Sequence, residues 1–157
     1  MKGPGPLQTY RDPSVWQEAV NLVKHVYCAT KSLPSDERFG LCSQMQRAAV
    51  SVPANIDEGY GREHRKEHLR HLSFARASLM ELETHIIISK RLRYFTEQEH
   101  ASLWKQAQVV GRLLHGLIQS LGGRLRTSEP RTQYPEPRAP QSGIRFRFPP
   151  GEDLQDG

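Results

Sequence analysis

The segment from Arg47 to Arg62, RAAVSVPANIDEGYGR, constrains the fold most, because it has the pattern of an amphipathic helix that contains a proline. Apolar residues recur there and just before it at steps of three and four, the period of one helix face: Leu41, Met45, Ala48, Val52 and Ile56. Pro53 removes a backbone donor and crowds the preceding turn, so packing against neighbours has to hold this helix. Gly59 and Gly61 are predicted to supply the left-handed positions that end it. The segment predicts one closely packed helix of a bundle.

Three further helices are predicted from the same periodicity. The first opens on the pair Asp12-Pro13, a capping residue followed by a proline at the first helical position. The last opens on a capping box formed by Thr96 and Glu99. The predicted helices span about residues 12–33, 41–58, 65–92 and 97–121.

These elements predict an all-α fold, an antiparallel up-down four-helix bundle over residues 12–123. Residues 1–11 are rich in glycine and proline and are predicted to be a disordered N-terminal segment. Residues 124–157 hold six of the eleven prolines and six arginines without helical periodicity, which predicts a Pro/Arg-rich disordered C-terminal tail. Within that tail residues 144–149 alternate apolar and basic side chains, a pattern that fits strand addition or nucleic-acid contact as well as an inert tail.

The net charge of +5 favours acidic partners, such as nucleic acid or an anionic membrane, although many proteins of this charge bind neither. Cys28 and Cys42 are the only cysteines and form no CxxC pair, which excludes the Cys-rich zinc modules and fits a reducing cytoplasm. No apolar run has the length of a signal or a spanning segment. We therefore expect a cytoplasmic protein without a membrane partner.

The densest basic region, residues 62–76, opens the third helix. Fixed cations at helical spacing follow phosphates and release counterions, whereas the alternative is a solvated face with Glu/Arg pairs. Positive charge at a helix N-terminus opposes the helix dipole, which favours a partner for it. The predicted nucleic-acid-binding residues are Arg47, Arg62, Arg65, Lys66, Arg70 and Arg76.

Chemistry of other kinds has little support in the sequence. His64, His68 and His71 are spaced by four and three residues, as ligands of one metal ion would be, but they match no HExxH motif and the adjacent cations oppose a metal. There is no nucleophile elbow, glycine-rich phosphate loop or converging carboxylate pair. We predict no catalytic residues, no metal site and no cofactor, hence a protein that is not an enzyme.

Four runs of sequence occur in order over about residues 13–121: VWQEAVNLVKHVY, LCSQMQRAAVSVPANIDEGYGR, KEHLRHLSFARASLMELETHIIISKRL and VVGRLLHGLIQSL. In these runs the chain resembles the four-helix-bundle proteins encoded in intervening sequences of bacterial 23S ribosomal RNA genes. The accessory variability protein of diversity-generating retroelements is a relative in that group. The resemblance implies a homopentamer with a basic surface and, in the retroelement branch, binding to a reverse transcriptase and to nucleic acid. The residues that match the shared string are Arg47, Pro53, Asn55, Glu58, Gly59 and Arg62.

The first, third and fourth helices carry more apolar residues than one seam needs, which predicts self-association, although a wide core stripe gives the same pattern. The predicted function is that of a non-enzymatic oligomeric helical protein that binds RNA or DNA through its basic surface. It would act as an accessory to a reverse transcriptase or to another RNA-handling partner. The alternative is a structural or scaffold bundle with no nucleic-acid role.

Overall fold

The computed structural model describes residues 14–122, which form four α-helices and two short 3₁₀ turns. The helices are α1 (Ser14–Ala29), α2 (Leu41–Tyr60), α3 (Arg65–Arg91) and α4 (Glu97–Ser120). The turns, Thr30–Ser32 and Ser35–Glu37, both lie between α1 and α2. Residues 14–122 contain no strand, so the all-α class is confirmed. The predictions for residues 1–11, for the Asp12-Pro13 start, for Gly123 and for residues 124–157 lie outside the described residues.

The four helices form a bundle in which each helix contacts its neighbours in the chain, and α1 and α4 close the ring. Within residues 14–122 no Cα atom of α1 lies within 8 Å of one in α3, and none of α2 lies that close to α4. Short links between successive helices make neighbours antiparallel. The predicted up-down four-helix bundle is therefore confirmed. None of these helices combines the length and apolar character that a bilayer crossing requires.

The core consists of one stripe from each helix, and α2 and α3 make the most extensive contact. Ala48 and Ala49 are fully buried on α2, and the Ser78 hydroxyl of α3 donates to the Ser51 hydroxyl at 2.9 Å. Pro53 is buried inside α2, which continues through it to Tyr60. Packing thus overrides the local cost of the proline, as the periodicity predicts.

The start of α4 is fixed by the predicted capping box. The Glu99 backbone N–H donates to the Thr96 hydroxyl at 3.2 Å, and the Thr96 N–H donates to the Glu99 carboxylate at 2.8 Å. The Ser32 hydroxyl donates to the same carboxylate at 3.0 Å, which ties the end of the first 3₁₀ turn to α4. The hydrogen bonds from Thr96, its backbone N–H first, and then the one from Ser32 lower the pKa of the Glu99 carboxyl group.

The end of α2 differs from the prediction, whereas α3 ends close to the predicted Leu92. Gly61 has a φ of −75° and Gly59 is buried within α2, so neither supplies a left-handed position and that prediction is wrong. Among the described non-glycine residues, Arg93 has a positive φ, 60°. The Arg93 N–H donates to Lys90 at 3.0 Å and the Tyr94 N–H donates to the Ser89 carbonyl at 2.9 Å, the two bonds of a Schellman turn. An arginine therefore occupies the position that glycine usually takes at the end of α3.

Candidate functional site

Lys66 and Arg70 lie one helical turn apart near the start of α3, and both are exposed. The Arg70 guanidinium lies 5.6 Å from the centre of the Phe74 ring, a cation–π contact that orients the charge without neutralising it. Neither cation has an ion-pair partner among residues 14–122. We call these two residues the α3 cation pair.

Two other predicted residues, both on or just after α2, are engaged with carboxylates. The Arg62 guanidinium lies 2.7 Å from the Glu58 carboxylate, one turn back along the chain. The Arg47 guanidinium lies 3.5 Å from the Glu81 carboxylate of α3 and also donates to the Gln44 side chain. Exposed ion pairs of this kind are worth about 0–1 kcal/mol each, so they offset local charge more than they hold the fold together.

Arg65 has a structural role that the sequence does not reveal. Its guanidinium donates to the backbone carbonyl of Leu121 at the end of α4. A helix C-terminus carries unpaired carbonyls and partial negative charge, so a cation there is favourable. The positive charge of Arg65 is unfavourable beside the N-terminus of α3, but it is favourable beside the C-terminus of α4. The inference that this charge needs an external partner does not hold for Arg65.

Arg76 lies half-buried in the groove between α3 and α4, on a different side of α3 from the α3 cation pair. The structure therefore does not gather the six predicted cations into one surface, and their role in binding stays a prediction. Between the last turn of α2 and the first turns of α3, residues 57–70, acidic residues equal the cations in number: Asp57, Glu58, Glu63 and Glu67 against Arg62, Arg65, Lys66 and Arg70.

Two of the three clustered histidines face α2. Gly59 makes this approach possible, because a Cβ there would lie 2.9 Å from His68 Cδ2 and 3.1 Å from His71 Cβ. His68 Nε2 and His71 Nδ1 are buried without a hydrogen-bond partner, and the 3.8 Å from His71 to Glu58 is too long for one. Burial, and then the neighbouring His71, lowers the pKa of His68. His64 is exposed, and residues 14–122 contain no group of three or more His, Cys, Asp or Glu placed to hold a metal ion.

The groove between α3 and α4 was not anticipated from the sequence. It contains a depression of about 420 Å³ lined by Ile87, Lys90, Arg91, His100 and Trp104. A second depression of about 240 Å³, next to Arg76, lies further along the same groove. The signals for the first depression were a basic pair at the end of α3 and a His/Trp pair one turn apart on α4. Only the packing of two helices brings them together.

The comparisons with known proteins agree with this architecture. The family model described as 23S rRNA-intervening sequence protein matches residues 11–116. The chain belongs to the 23S rRNA-intervening sequence protein family. A crystal structure of a protein with unknown function from the S23 ribosomal protein family of Bacteroides thetaiotaomicron VPI-5482 has a similar fold, with a TM-score of 0.64 and 22% identity. The alignment covers 69% of this chain and 98% of that one. No match was found among the curated proteins.

We expect the stability of this family member to decrease as the pH falls below about 6.5. Because the folded state lowers the pKa of His68, the unfolded chain binds a proton more readily, and acid favours unfolding from the unfolded pKa downward. Urea denaturation from about pH 7.5 to about 5.5 measures the slope. His68→Gln should flatten the slope, whereas His115→Gln, an exposed control on α4, should leave it unchanged. An unaltered slope in His68→Gln would exclude His68 as the titrating group.

Proposed function

We propose that this protein is a non-enzymatic, self-associating helical bundle of the cytoplasm that binds nucleic acid through the α3 cation pair. The observation that carries the proposal is the pair itself, because Lys66 and Arg70 are exposed, one turn apart and without carboxylate partners among residues 14–122. Such cations contact consecutive phosphates and contribute affinity without reading bases. The family name, which refers to an intervening sequence of 23S rRNA, agrees with an RNA-linked role. Cys28 and Cys42 are free thiols, as in proteins of a reducing compartment.

Self-association is supported by exposed apolar side chains on α1 and α2. Val20 and Tyr27 lie seven residues apart on α1, so they share a side of that helix, and they are 39% and 46% exposed. Val50 on α2 is 43% exposed. We call Val20, Tyr27 and Val50 the α1–α2 apolar face. A second copy of the chain is the partner that we propose for it, and an oligomer would repeat the α3 cation pair and strengthen binding by avidity.

The predicted apolar surplus is only partly present. Large apolar side chains are exposed on α1 and α3, as predicted, but no large apolar residue of α4 is exposed. Trp104, Leu113 and Leu117 of α4 instead pack against the core. For α4 the wide core stripe is thus the better interpretation. The pentameric state and a reverse transcriptase partner stay predictions that rest on the resemblance.

A scaffold without a nucleic-acid role is the second candidate function. The balance of charges at the opening of α3 favours it, because Arg62 is paired with Glu58 and Arg65 is used by α4. Under this alternative the α3 cation pair is only a solvated helix face. The two candidates differ in whether Lys66 and Arg70 contact phosphate.

We expect the double variant Lys66→Gln/Arg70→Gln to bind a structured RNA hairpin more weakly and with a shallower salt dependence. Each lost phosphate contact should reduce the logarithmic salt slope by about 0.7–0.9. Fluorescence anisotropy of labelled hairpin between about 50 and 200 mM salt measures both quantities. The matched control is Arg47→Gln/Arg62→Gln, which removes the same charge from two residues that already have carboxylate partners. The salt slope of the control variant should decrease much less than that of Lys66→Gln/Arg70→Gln.

Two results would contradict the proposal in different ways. If the Lys66→Gln/Arg70→Gln variant keeps the affinity and slope of the parent, the α3 cation pair is not the binding surface. If the parent itself does not bind at about 50 mM salt, where non-specific phosphate contacts register, the scaffold function holds. Circular dichroism and sedimentation should show unchanged helix content and oligomer size in both variants, so that a loss of binding reports on contacts alone.

A further inference from the structure

The first depression of the α3–α4 groove combines aromatic, apolar and cationic side chains. His100 and Trp104 lie one turn apart on α4, with ring planes 15° apart and centroids separated by 6.1 Å. Ile87 of α3 forms an apolar wall, and the depression measures about 420 Å³, within the range of small-molecule sites. Aromatic faces beside an apolar wall favour a flat, unsaturated group as the occupant.

The rim of this depression is positive. Lys90 lies 3.3 Å from the Glu97 carboxylate, an exposed and weak pair, whereas Arg91 is exposed and has no ion-pair partner among residues 14–122. No acidic residue is among the five lining residues. Burial first, and then the charge of Lys90, lowers the pKa of His100, whereas the nearby Glu97 raises it, and the net shift favours the uncharged ring beside Trp104. The depression therefore has two cations, Lys90 and Arg91, at its rim and two aromatic rings, those of His100 and Trp104, at its floor.

We propose that this depression binds a nucleotide, with the base against Trp104 and His100 and the phosphate held by Arg91 and Lys90. Base stacking on aromatic side chains combined with cations for the phosphate is the chemistry by which proteins hold unpaired nucleotides. The site goes beyond the proposed function, because it lies near the far end of α3 from the α3 cation pair. Lys66 and Lys90 are separated by about 36 Å along the helix at 1.5 Å per residue.

Two sources share this chemistry, a free nucleotide and an unpaired nucleotide within a single strand. The second depression distinguishes them, since Arg76 borders it about 16 Å further along α3, measured from Ile87 at 1.5 Å per residue. Glu83 also lines the second depression, and the Gln108 side chain of α4 donates to its carboxylate across the groove at 3.0 Å. A single strand that follows the groove reaches both depressions, whereas a mononucleotide occupies the first.

The test uses the fluorescence of Trp104 in the full-length Trp16→Phe variant, which has no other tryptophan. AMP is expected to quench it saturably, adenosine more weakly, and inorganic phosphate not at all. Trp104 also packs against the core, so replacing it would disturb the fold as well as the site. The diagnostic substitution is therefore Arg91→Gln, which should weaken AMP binding about tenfold by removing a charge-assisted contact. Arg112→Gln removes an exposed cation of α4 outside the depression and should leave AMP affinity unchanged.

The two sources separate when an oligoadenylate is compared with AMP. If the groove binds a single strand, the oligoadenylate should have a higher affinity than AMP, and Arg76→Gln should remove this difference. Equal affinities of the two ligands assign the site to a free nucleotide. Absence of saturable quenching by either ligand at millimolar concentration overturns the proposal, as does equal AMP affinity in Arg91→Gln and parent. Neither result bears on hairpin binding by the α3 cation pair, which is measured separately.

Discussion

Replacing Gly59 with valine is expected to destabilise the bundle by about 1–3 kcal/mol through overpacking. Two effects compete at this position. A side chain would favour the helical state over glycine by up to about 1 kcal/mol. Against this, even a Cβ would meet His68 Cδ2 at 2.9 Å and the His68 carbonyl oxygen at 3.3 Å, and the backbone of α3 cannot move without opening the contact with α2. Thermal and urea denaturation measure the loss.

Gly61 provides the matched control, two residues further along. A Cβ there would meet only the Glu58 carbonyl, at 3.6 Å, and the φ of −75° suits any L-residue. Gly61→Val should therefore change the unfolding free energy by less than about 1 kcal/mol. If the two valine variants were equally stable, the close approach of α2 and α3 at Gly59 would not limit packing, and the helix propensity of the new residue would be the larger effect.

If the chain self-associates through the α1–α2 apolar face as proposed, the double substitution Val20→Asp/Tyr27→Asp is expected to give a folded monomer. Burying unpaired carboxylates in an interface costs several kcal/mol, and each ~1.4 kcal/mol lowers the association constant about tenfold. Because both residues are exposed in the single chain, the bundle itself should keep its helix content. Sedimentation equilibrium measures the mass of the species, and circular dichroism checks the fold.

The control for this substitution is Ile88→Asp, which introduces a charge at an equally exposed apolar position, 39% accessible, on α3. It should leave the oligomer intact if the α1–α2 apolar face is the interface. An oligomer that dissociates with Ile88→Asp but persists in the double variant would move the interface to α3. A parent chain that sediments only as a 17.9 kDa monomer at micromolar concentration would contradict self-association altogether.

The helices were predictable because their determinants are local. The capping box of Thr96 and Glu99 lies within four residues, and α4 begins at Glu97 as predicted. The proline at position 34 likewise ends the helical region before it, since Leu33 has an extended ψ of 148°. Period and capping chemistry are read from neighbours in the chain, so a single sequence suffices for them.

The candidate sites were less predictable because they depend on contacts between distant segments. Arg65 and Leu121 are 56 residues apart in sequence, and nothing near Arg65 indicates that its charge is used by the end of α4. The aromatic residues that line the same depression as Arg91, His100 and Trp104, likewise come from the next helix. Gly59 has the pattern of a helix stop, yet its function is to admit His68 to within contact distance. In each case the neighbouring residue comes from another part of the bundle, and the packing of the helices, not a local sequence pattern, brings it into place.

The close contact between α2 and α3 has a consequence for the order of folding. These helices are consecutive and joined by a short link, so their contact closes a small loop at little entropic cost, whereas the contact between α1 and α4 has to bring distant segments together. The α2–α3 hairpin should therefore form early and open last in native-state hydrogen exchange. The terminal helices α1 and α4 would detach first and expose their apolar stripes, while α2 and α3 remain packed together.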